Sequence, residues 1–271
     1  MSGGSRPRLV ISDVDGTLVR SDKSLAEATV EAVERLTAAG VPMTLISARP
    51  PSGMYWLAER LQLAGPFGAF NGGVLFKADG TVIERHCLDR DVSERVLALL
   101  VEAGITRWAF ADGDWLASDD RNPHTGNEVK AANVDPIVTT DFSGRLDRLD
   151  KIVGISDDHG LLLRLEKDAR AIVGPRATIA RSQPYYLDVT APVANKGDGI
   201  AFLARAFGVD LADVLVLGDQ ANDLPMFARA GRSIAMGQAP DDVRAAADEV
   251  SESNDRDGVA VALDRLTQAA V

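Results

Sequence analysis

Two aspartates stand two positions apart in Asp13-Val14-Asp15-Gly16-Thr17, directly after the apolar run Leu9 to Ser12. In extended backbone alternate side chains leave the same face, so this spacing sends both carboxylates toward one point. Gly16 permits a tight turn whose N–H groups can face an anion. Taken alone, Asp-x-Asp-Gly reads first as a solvated turn, because Asp and Gly populate turns freely. A second acidic turn, Gly218-Asp219 with Asn222-Asp223, follows the run Val214 to Leu217; by itself it is a polar strand-to-helix loop with a capping side chain. Carboxylates delivered from two strands to one edge commonly hold a hard cation, Mg2+ where a substrate phosphate completes the shell. Ser47, after Val41 to Ile46, and Lys196, in Asn195-Lys196-Gly197, add a hydroxyl and an ammonium. Such groups hold phosphate oxygens while charge shifts; singly, they would be a turn hydroxyl and a surface lysine.

The elements that must position these residues alternate. Ser24 with Glu27 forms a capping-box pattern ahead of Leu25, Ala28, Ala32, Val33 and Leu36 at helical spacing, which stops at Gly40. Val41 to Ile46 is a second buried strand, Pro50-Pro51 opens a helix to about Leu63, and a third strand leads into Asn71-Gly72-Gly73. This alternation predicts an α/β fold, a Rossmann-like parallel sheet with helices on both faces and ligands at the carboxyl ends of its strands. From about Ile83 to Pro192 the texture changes. Short runs at Trp108 to Ala111, Lys151 to Ile155 and Tyr185 to Val189 lie between helical segments at Val92 to Glu102 and Leu161 to Ile172, an inserted α+β unit. Alternation then resumes with a helix near Gly199 to Ala206, strands Val214 to Leu217 and Ser233 to Met236, a helix from Pro225, and helices near Asp241 to Ala247 and Asp257 to Thr267. The core is expected over 1–83 and 193–271, and the insertion over 84–192.

The chain has 271 residues, 46% hydrophobic and 25% charged, the balance of an ordinary globular protein. With 29 Lys and Arg against 40 Asp and Glu, a net charge of −11 argues against broad nucleic-acid or anionic-membrane binding. One cysteine, Cys87, excludes an internal disulfide and a multi-thiolate zinc site, and it fits a reducing compartment. The chain lacks a membrane-length apolar run, and Met1 to Arg8 lacks the apolar region of a secretory signal, so a short disordered tail and a cytoplasmic location are expected. His86 and His159 have no metal-ligand spacing and read as surface residues; Cys87 has no evident partner and reads as buried or inert. Oligomeric state is not legible at this level.

The motifs Asp13-Val14-Asp15-Gly16-Thr17-Leu18, Ile46-Ser47-Ala48-Arg49, Lys196 and Gly218-Asp219-Gln220-Ala221-Asn222-Asp223 together resemble the haloacid dehalogenase-like phosphatases. With the long insertion, Asn71-Gly72-Gly73 and Leu224-Pro225-Met226-Phe227, the chain looks most similar to their Cof-type (IIB) subgroup. The resemblance implies a Mg2+-dependent phosphomonoester hydrolase. Asp13 would be the nucleophile, forming an aspartyl-phosphate. Asp15 would protonate the leaving alcohol and then activate water. Mg2+ would be held by Asp13, the Asp15 main-chain carbonyl and Asp219, with Asp223 supporting. Ser47 and Lys196 would bind phosphoryl oxygens, and Asn222 would orient the phosphate or substrate. Gly16, Ala48, Arg49, Asn71 and Gly72 complete the candidate phosphate and substrate contacts. Two departures, Ala194-Asn195 ahead of Lys196 and Gln220-Ala221 inside the last motif, bear on substrate preference.

The insertion would be a lid that excludes water and reads the substrate, a small phosphorylated metabolite such as a sugar phosphate. Its candidate readers are Trp115, Arg121, His124, Tyr185 and Tyr186, although an aromatic in a small unit is more often core than contact. The alternatives are a dedicated sugar-phosphate phosphatase of the mannosyl-3-phosphoglycerate or sucrose phosphate type, a phosphosugar mutase, and a non-catalytic scaffold. The presence of Asp13, Asp15 and Lys196 speaks against the last.

Overall fold

The computed structural model describes residues 6–268. Met1 to Ser5 of the expected tail lie outside the described residues. Pro7 is buried and Arg8 donates its N–H to the Asp213 carbonyl at 2.8 Å, so the tail ends earlier than Arg8. The chain then runs through β1 (Leu9–Ser12), α1 (Glu27–Ala38), β2 (Met43–Leu45), α2 (Tyr55–Arg60), β3 (Phe67–Ala69), β4 (Val74–Phe76) and β5 (Val82–Arg85). Next come α3 (Arg90–Glu102), β6 (Thr106–Ala111), β7 (Asp114–Ala117), α4 (Thr125–Ala132), β8 (Ile137–Val138), β9 (Leu149–Ile155), α5 (His159–Val173), β10 (Thr178–Gln183) and β11 (Tyr186–Thr190). The last part holds α6 (Lys196–Phe207), β12 (Val214–Gly218), α7 (Leu224–Phe227), β13 (Arg232–Ala235), α8 (Asp241–Ala246), β14 (Glu249–Val250) and α9 (Gly258–Gln268).

A parallel sheet in the order β14-β13-β12-β1-β2 forms the core. Its central strands are apolar on both sides because helices cover both faces. Val10, Leu215 and Leu217 pack with Val33, Leu36 and Leu263 of α1 and α9, while Leu9, Ile11, Val214 and Val216 pack with Ile200 and Leu203 of α6. The chain leaves β1 toward β2, whereas β12 continues toward β13 on the other side. The sheet order therefore reverses between β1 and β12, where open α/β sheets form their ligand crevice. Ser12 is in register with Leu217, and the Asp13 N–H bonds the Leu217 carbonyl at 2.9 Å, so both acidic turns emerge side by side.

Several local expectations shift. Ala26, not Ser24, precedes α1, and it makes no side-chain cap; Ser24 Oγ instead bonds Asp22 Oδ1 at 2.6 Å in the preceding turn. The helix expected from Pro50 to Leu63 is a short 3₁₀ turn, Pro51–Gly53, followed by α2, and Gln62 then takes a positive φ of 54°. The third strand, β3, joins the antiparallel set β3-β4-β5 and touches the parallel sheet through the bridge Ile46–Gly68. β5 lies across the expected 83/84 boundary, with Arg85 opposite Val74 of β4. The helix expected from Gly199 begins at Lys196, because the Asn195 side chain caps it by accepting the Asp198 N–H at 3.0 Å.

The remaining strands form a six-stranded sheet, β10-β11-β9-β6-β7-β8, antiparallel except for β7–β8. Its two faces separate by strand alternation. Ala109, Ala111, Ile152 and Leu187 pack under α3 and α5, whereas Trp108, Phe110, Trp115, Val153 and Tyr186 join the cluster that includes Met54 and Phe70 of the other part of the chain. α4 rests on the Pro51–Gly53 turn, where Ser52 Oγ donates to the Ala132 carbonyl at 2.6 Å. Among the described residues, no helix is long and apolar enough to cross a membrane.

Gly72 is fixed by packing. Its φ is +94°, and a Cβ there would overlap Gly199 of α6. Gly72→Ala should therefore lower the unfolding midpoint in urea by more than Gly104→Ala, whose φ is +66° in open space. The control carries only the left-handed penalty of about 1–2 kcal/mol; Gly72→Ala adds an overpacking cost of about 1–3 kcal/mol. Equal midpoints for the two variants would show that α6 does not need this close approach.

Candidate active site

Asp13, Asp219, Asp223 and Lys196 meet at the carboxyl ends of β1 and β12, each 4% exposed or less. One oxygen from each of the three carboxylates lies within 4.8 Å of the others. Lys196 Nζ, from the first turn of α6, donates to Asp13 Oδ1 and Asp223 Oδ1, both at 2.5 Å. Asp223 Oδ2 accepts the N–H groups of Asp219 at 2.8 Å and Gln220 at 2.9 Å. Thr17 Oγ1 donates to Asp219 Oδ1 at 2.9 Å and Gln220 Nε2 to Asp219 Oδ2 at 3.1 Å. Gly16, at φ +81°, is needed for space: a Cβ there would stand 2.8 Å from the Asp219 carboxyl carbon.

Three carboxylates against one ammonium leave net negative charge in a desolvated place. Burial, reinforced by Asp223 and Asp219, raises the Asp13 pKa well above the usual carboxylate value even though Lys196 opposes the shift. Burial and Asp223 push Asp219 up to about 6. Burial favours a neutral Lys196, but Asp13 and Asp223 outweigh it and hold the ammonium charged. A cluster of hard, anionic oxygens with unmet charge is a donor set that fits Mg2+.

The Asp15 carboxylate does not join this cluster. β1 ends at Ser12 and Val14 sits in a turn, so the alternation rule stops applying before Asp15. Arg49 grips it through two bonds, Nε to Oδ2 at 2.7 Å and Nη2 to Oδ1 at 2.8 Å, and Lys23 Nζ reaches Oδ1 at 2.7 Å. Burial would raise its pKa, yet Arg49 and Lys23 prevail and hold it well below the usual range. As a metal residue, Asp15 is left with its main-chain carbonyl.

Asp13 and Asp15 open onto a cavity of about 530 Å3, also lined by Ser47, Ala48, Arg49 and Asn222. Ser47 is placed by its N–H to the Gly68 carbonyl at 2.8 Å, and its Oγ accepts the Arg49 N–H at 3.2 Å. The Arg49 side chain, expected as a free substrate contact, is engaged by Asp15 and by the Gly53 carbonyl at 3.0 Å. Asn71, at φ 60°, and Gly72 do not line the cavity. Asn71 bonds the Ser47 carbonyl at 2.7 Å through its N–H and meets Asn222 Nδ2 at 3.5 Å, so it supports two lining residues from behind.

Of the expected lid readers, Tyr185 and Tyr186 line the cavity. His124 stacks behind Tyr185 with centroids 3.7 Å apart and bonds Asp157 at 2.8 Å. Trp115 is fully buried against Trp108 and Phe110, and Arg121 pairs with Asp119 at 3.1 Å outside the cavity lining. His159 is exposed; His86 is half-buried, stacked on Phe202. Burial and Asp150 push the Cys87 thiol up to about 11, which keeps it protonated at neutral pH. Lys23, Glu128 and Lys151 also line the cavity and were not anticipated. Lys151 carried a legible signal, a charge inside an apolar strand run; Glu128 and Lys23 carried none.

The sequence description of the haloacid dehalogenase-like hydrolases matches residues 10–263. A Haemophilus influenzae protein provisionally named a phosphatase is 30% identical over 262 residues, covering 95% of this chain and 97% of that protein. An HMP-PP phosphatase of Enterobacter sp. (strain 638) is 30% identical over 239 residues, 86% of this chain and 85% of its own. A solved structure described as a subclass IIB sugar phosphatase superposes with a TM-score of 0.83 at 26% identity, covering 95% and 98% of the two chains. The chain belongs to the haloacid dehalogenase-like hydrolases, within their Cof-type (IIB) phosphatase subgroup.

Proposed function

We propose that this hydrolase removes the phosphoryl group from a small phosphorylated metabolite, a sugar phosphate being the leading class, with Mg2+ as cofactor and Asp13 as nucleophile. The observation that carries it is the Asp13 carboxylate, which opens onto the cavity and belongs to the buried cluster with Asp219, Asp223 and Lys196. Asp13 and Asp219, the Asp15 carbonyl and, in support, Asp223 are the groups that would hold Mg2+. When bound, the ion offsets the repulsion between a carboxylate nucleophile and a phosphate dianion.

An Asp13 oxygen attacks phosphorus as the bond to the leaving oxygen breaks, and the departing alcohol takes its proton from Asp15. Water then attacks the aspartyl-phosphate, Asp15 accepts the water proton, and the phosphorus bond to Asp13 breaks to release inorganic phosphate. Lys196 and Ser47 hold the transferring oxygens. The Arg49 and Lys23 contacts stabilise the ionised Asp15 of the second half; for the first half, Asp15 exchanges those partners for a proton and the leaving oxygen. Relatives are named for unlike substrates, HMP-PP in one and a sugar phosphate in another, so the shared site supports the reaction class and the lid wall decides the leaving group.

Phosphate release from phenyl phosphate with Mg2+ should fall about a thousandfold or more in Asp13→Asn with the fold intact by circular dichroism. Comparable rates in the two proteins would remove Asp13 from the chemistry. In a thermal melt, Mg2+ at a hundredfold excess over its dissociation constant should stabilise the wild type by about 2.7 kcal/mol, and Asp219→Asn should lose most of that gain. An equal Mg2+ shift in both proteins would place the ion elsewhere.

A further inference from the structure

The lid contributes a buried charge pair to the cavity. Lys151 of β9 and Asp188 of β11 are diagonal neighbours, since Val153 is in register with Asp188 and Lys151 with Thr190. Lys151 Nζ lies 3.0 Å from Asp188 Oδ2, with the side chains 7% and 4% exposed. The pair occupies the face that otherwise carries Trp108, Val153 and Tyr186. Ion pairs in such places add little to stability over well-packed apolar residues, because desolvation offsets the attraction. Lys151 lines the same cavity as Asp13. Its ammonium has three donors, and among the described residues Asp188 is its one ion-pair partner. Neither buried Asp188 oxygen makes a hydrogen bond among the described residues. Glu128 of α4 and Tyr186 line the same cavity.

We infer that Lys151, positioned by Asp188 and faced by Glu128, is the specificity-determining group that reads the uncharged, hydroxyl-bearing part of the substrate beyond its phosphate. This rests on the phosphatase reading of the Asp13 site. Free Lys151 N–H groups donate to hydroxyl oxygens, and Glu128 accepts from a neighbouring hydroxyl. A second anionic group would meet the charges of Glu128 and Asp188. A purely apolar leaving group would leave the Lys151 donors unpaired in a desolvated site, and sites built to hydrogen-bond a hydroxyl reject analogues lacking it.

The test is titration calorimetry on full-length Asp13→Asn protein with Mg2+, using inorganic phosphate, phenyl phosphate, ribose 5-phosphate, glucose 6-phosphate and sorbitol 6-phosphate. At least one polyol phosphate should bind more tightly than phenyl phosphate. Adding Lys151→Met should weaken that ligand about tenfold or more while inorganic phosphate changes by less than about twofold. Since Lys151→Met alone leaves Asp188 buried and unpaired, Glu128→Leu, which removes the acceptor, and the double change Lys151→Met with Asp188→Leu repeat the measurement without that strain, and each should show the same selective loss. The inference is overturned if phenyl phosphate binds as tightly as every polyol phosphate, if polyol and inorganic phosphate weaken equally, or if the double change has no effect. Failure of the wild type with Mg2+ to release phosphate from any of the four phosphate esters sinks the phosphatase reading separately, because the binding pattern is measured without turnover.

Discussion

Asp13, Asp219 and Asp223 set three buried carboxylates against the single ammonium of Lys196, and the nearby structure is organised around that imbalance. Asp223 is the best satisfied, with two backbone N–H groups and Lys196; Asp219 has the Thr17 hydroxyl and the Gln220 amide. Asp13 has Lys196 as its side-chain partner, and it alone of the three lines the cavity. The least compensated carboxylate is therefore the one that faces the cavity. A cation bound there serves two purposes, since it relieves the mutual repulsion and attracts a phosphate that the bare cluster would repel.

Strand topology decides where that charge can be gathered. β1 and β12 are neighbours in the sheet although about two hundred residues separate them, and their registered ends deliver Asp13 and Asp219 from rigid backbone. Asn195 starts α6 at the position that puts Lys196 in its first turn, between the two acidic turns. Burying a lysine at a helix N-terminus opposes the helix dipole, so its place there makes sense only through its two carboxylate partners. The six-stranded sheet lines the cavity through Lys151 and Tyr186, and the alternation that packs Trp108 and Val153 on that face also aligns Lys151 and Asp188.

Asp13 and Asp219 were readable because two acidic turns each follow an apolar strand run, a coincidence that neither turn alone would carry. Asp13 and Asp219 come together at neighbouring strand ends, and Lys196, which alone read as a surface lysine, joins them from the first turn of α6 as the family resemblance implied. Asp15 does not, because the period-two rule holds only as far as the strand, and β1 stops at Ser12. Arg49 was legible as an edge residue, but its pairing with Asp15 depends on a turn that local pattern does not determine. Ser24 and Glu27 have the spacing of a capping box, yet Asp22 captures Ser24 first. Trp115 was ambiguous for a general reason: an aromatic fits a core or a contact equally well until the face of its strand is known. Glu128 on α4 had no signal at all, since a glutamate on a short helix looks like surface.

Asp13 and Asp15 show how two identical side chains, two residues apart, acquire different chemistry from their surroundings. Burial beside two further carboxylates raises one, whereas a guanidinium and an ammonium lower the other. Environments that push neighbouring titratable groups in opposite directions are a recognised way to divide nucleophilic and acid-base roles within one fold. The direction is informative. In the proposed reaction Asp13 would attack as the anion, so what supplies its missing positive charge would also control its reactivity. Asp15 would carry protons there, exchanging the Arg49 contact for a leaving oxygen. Nucleophile strength would thus depend on occupancy by a cation and proton transfer on displacement of Arg49. The first dependency follows from the excess of negative charge at the strand ends, the second from the guanidinium that holds Asp15 apart from it.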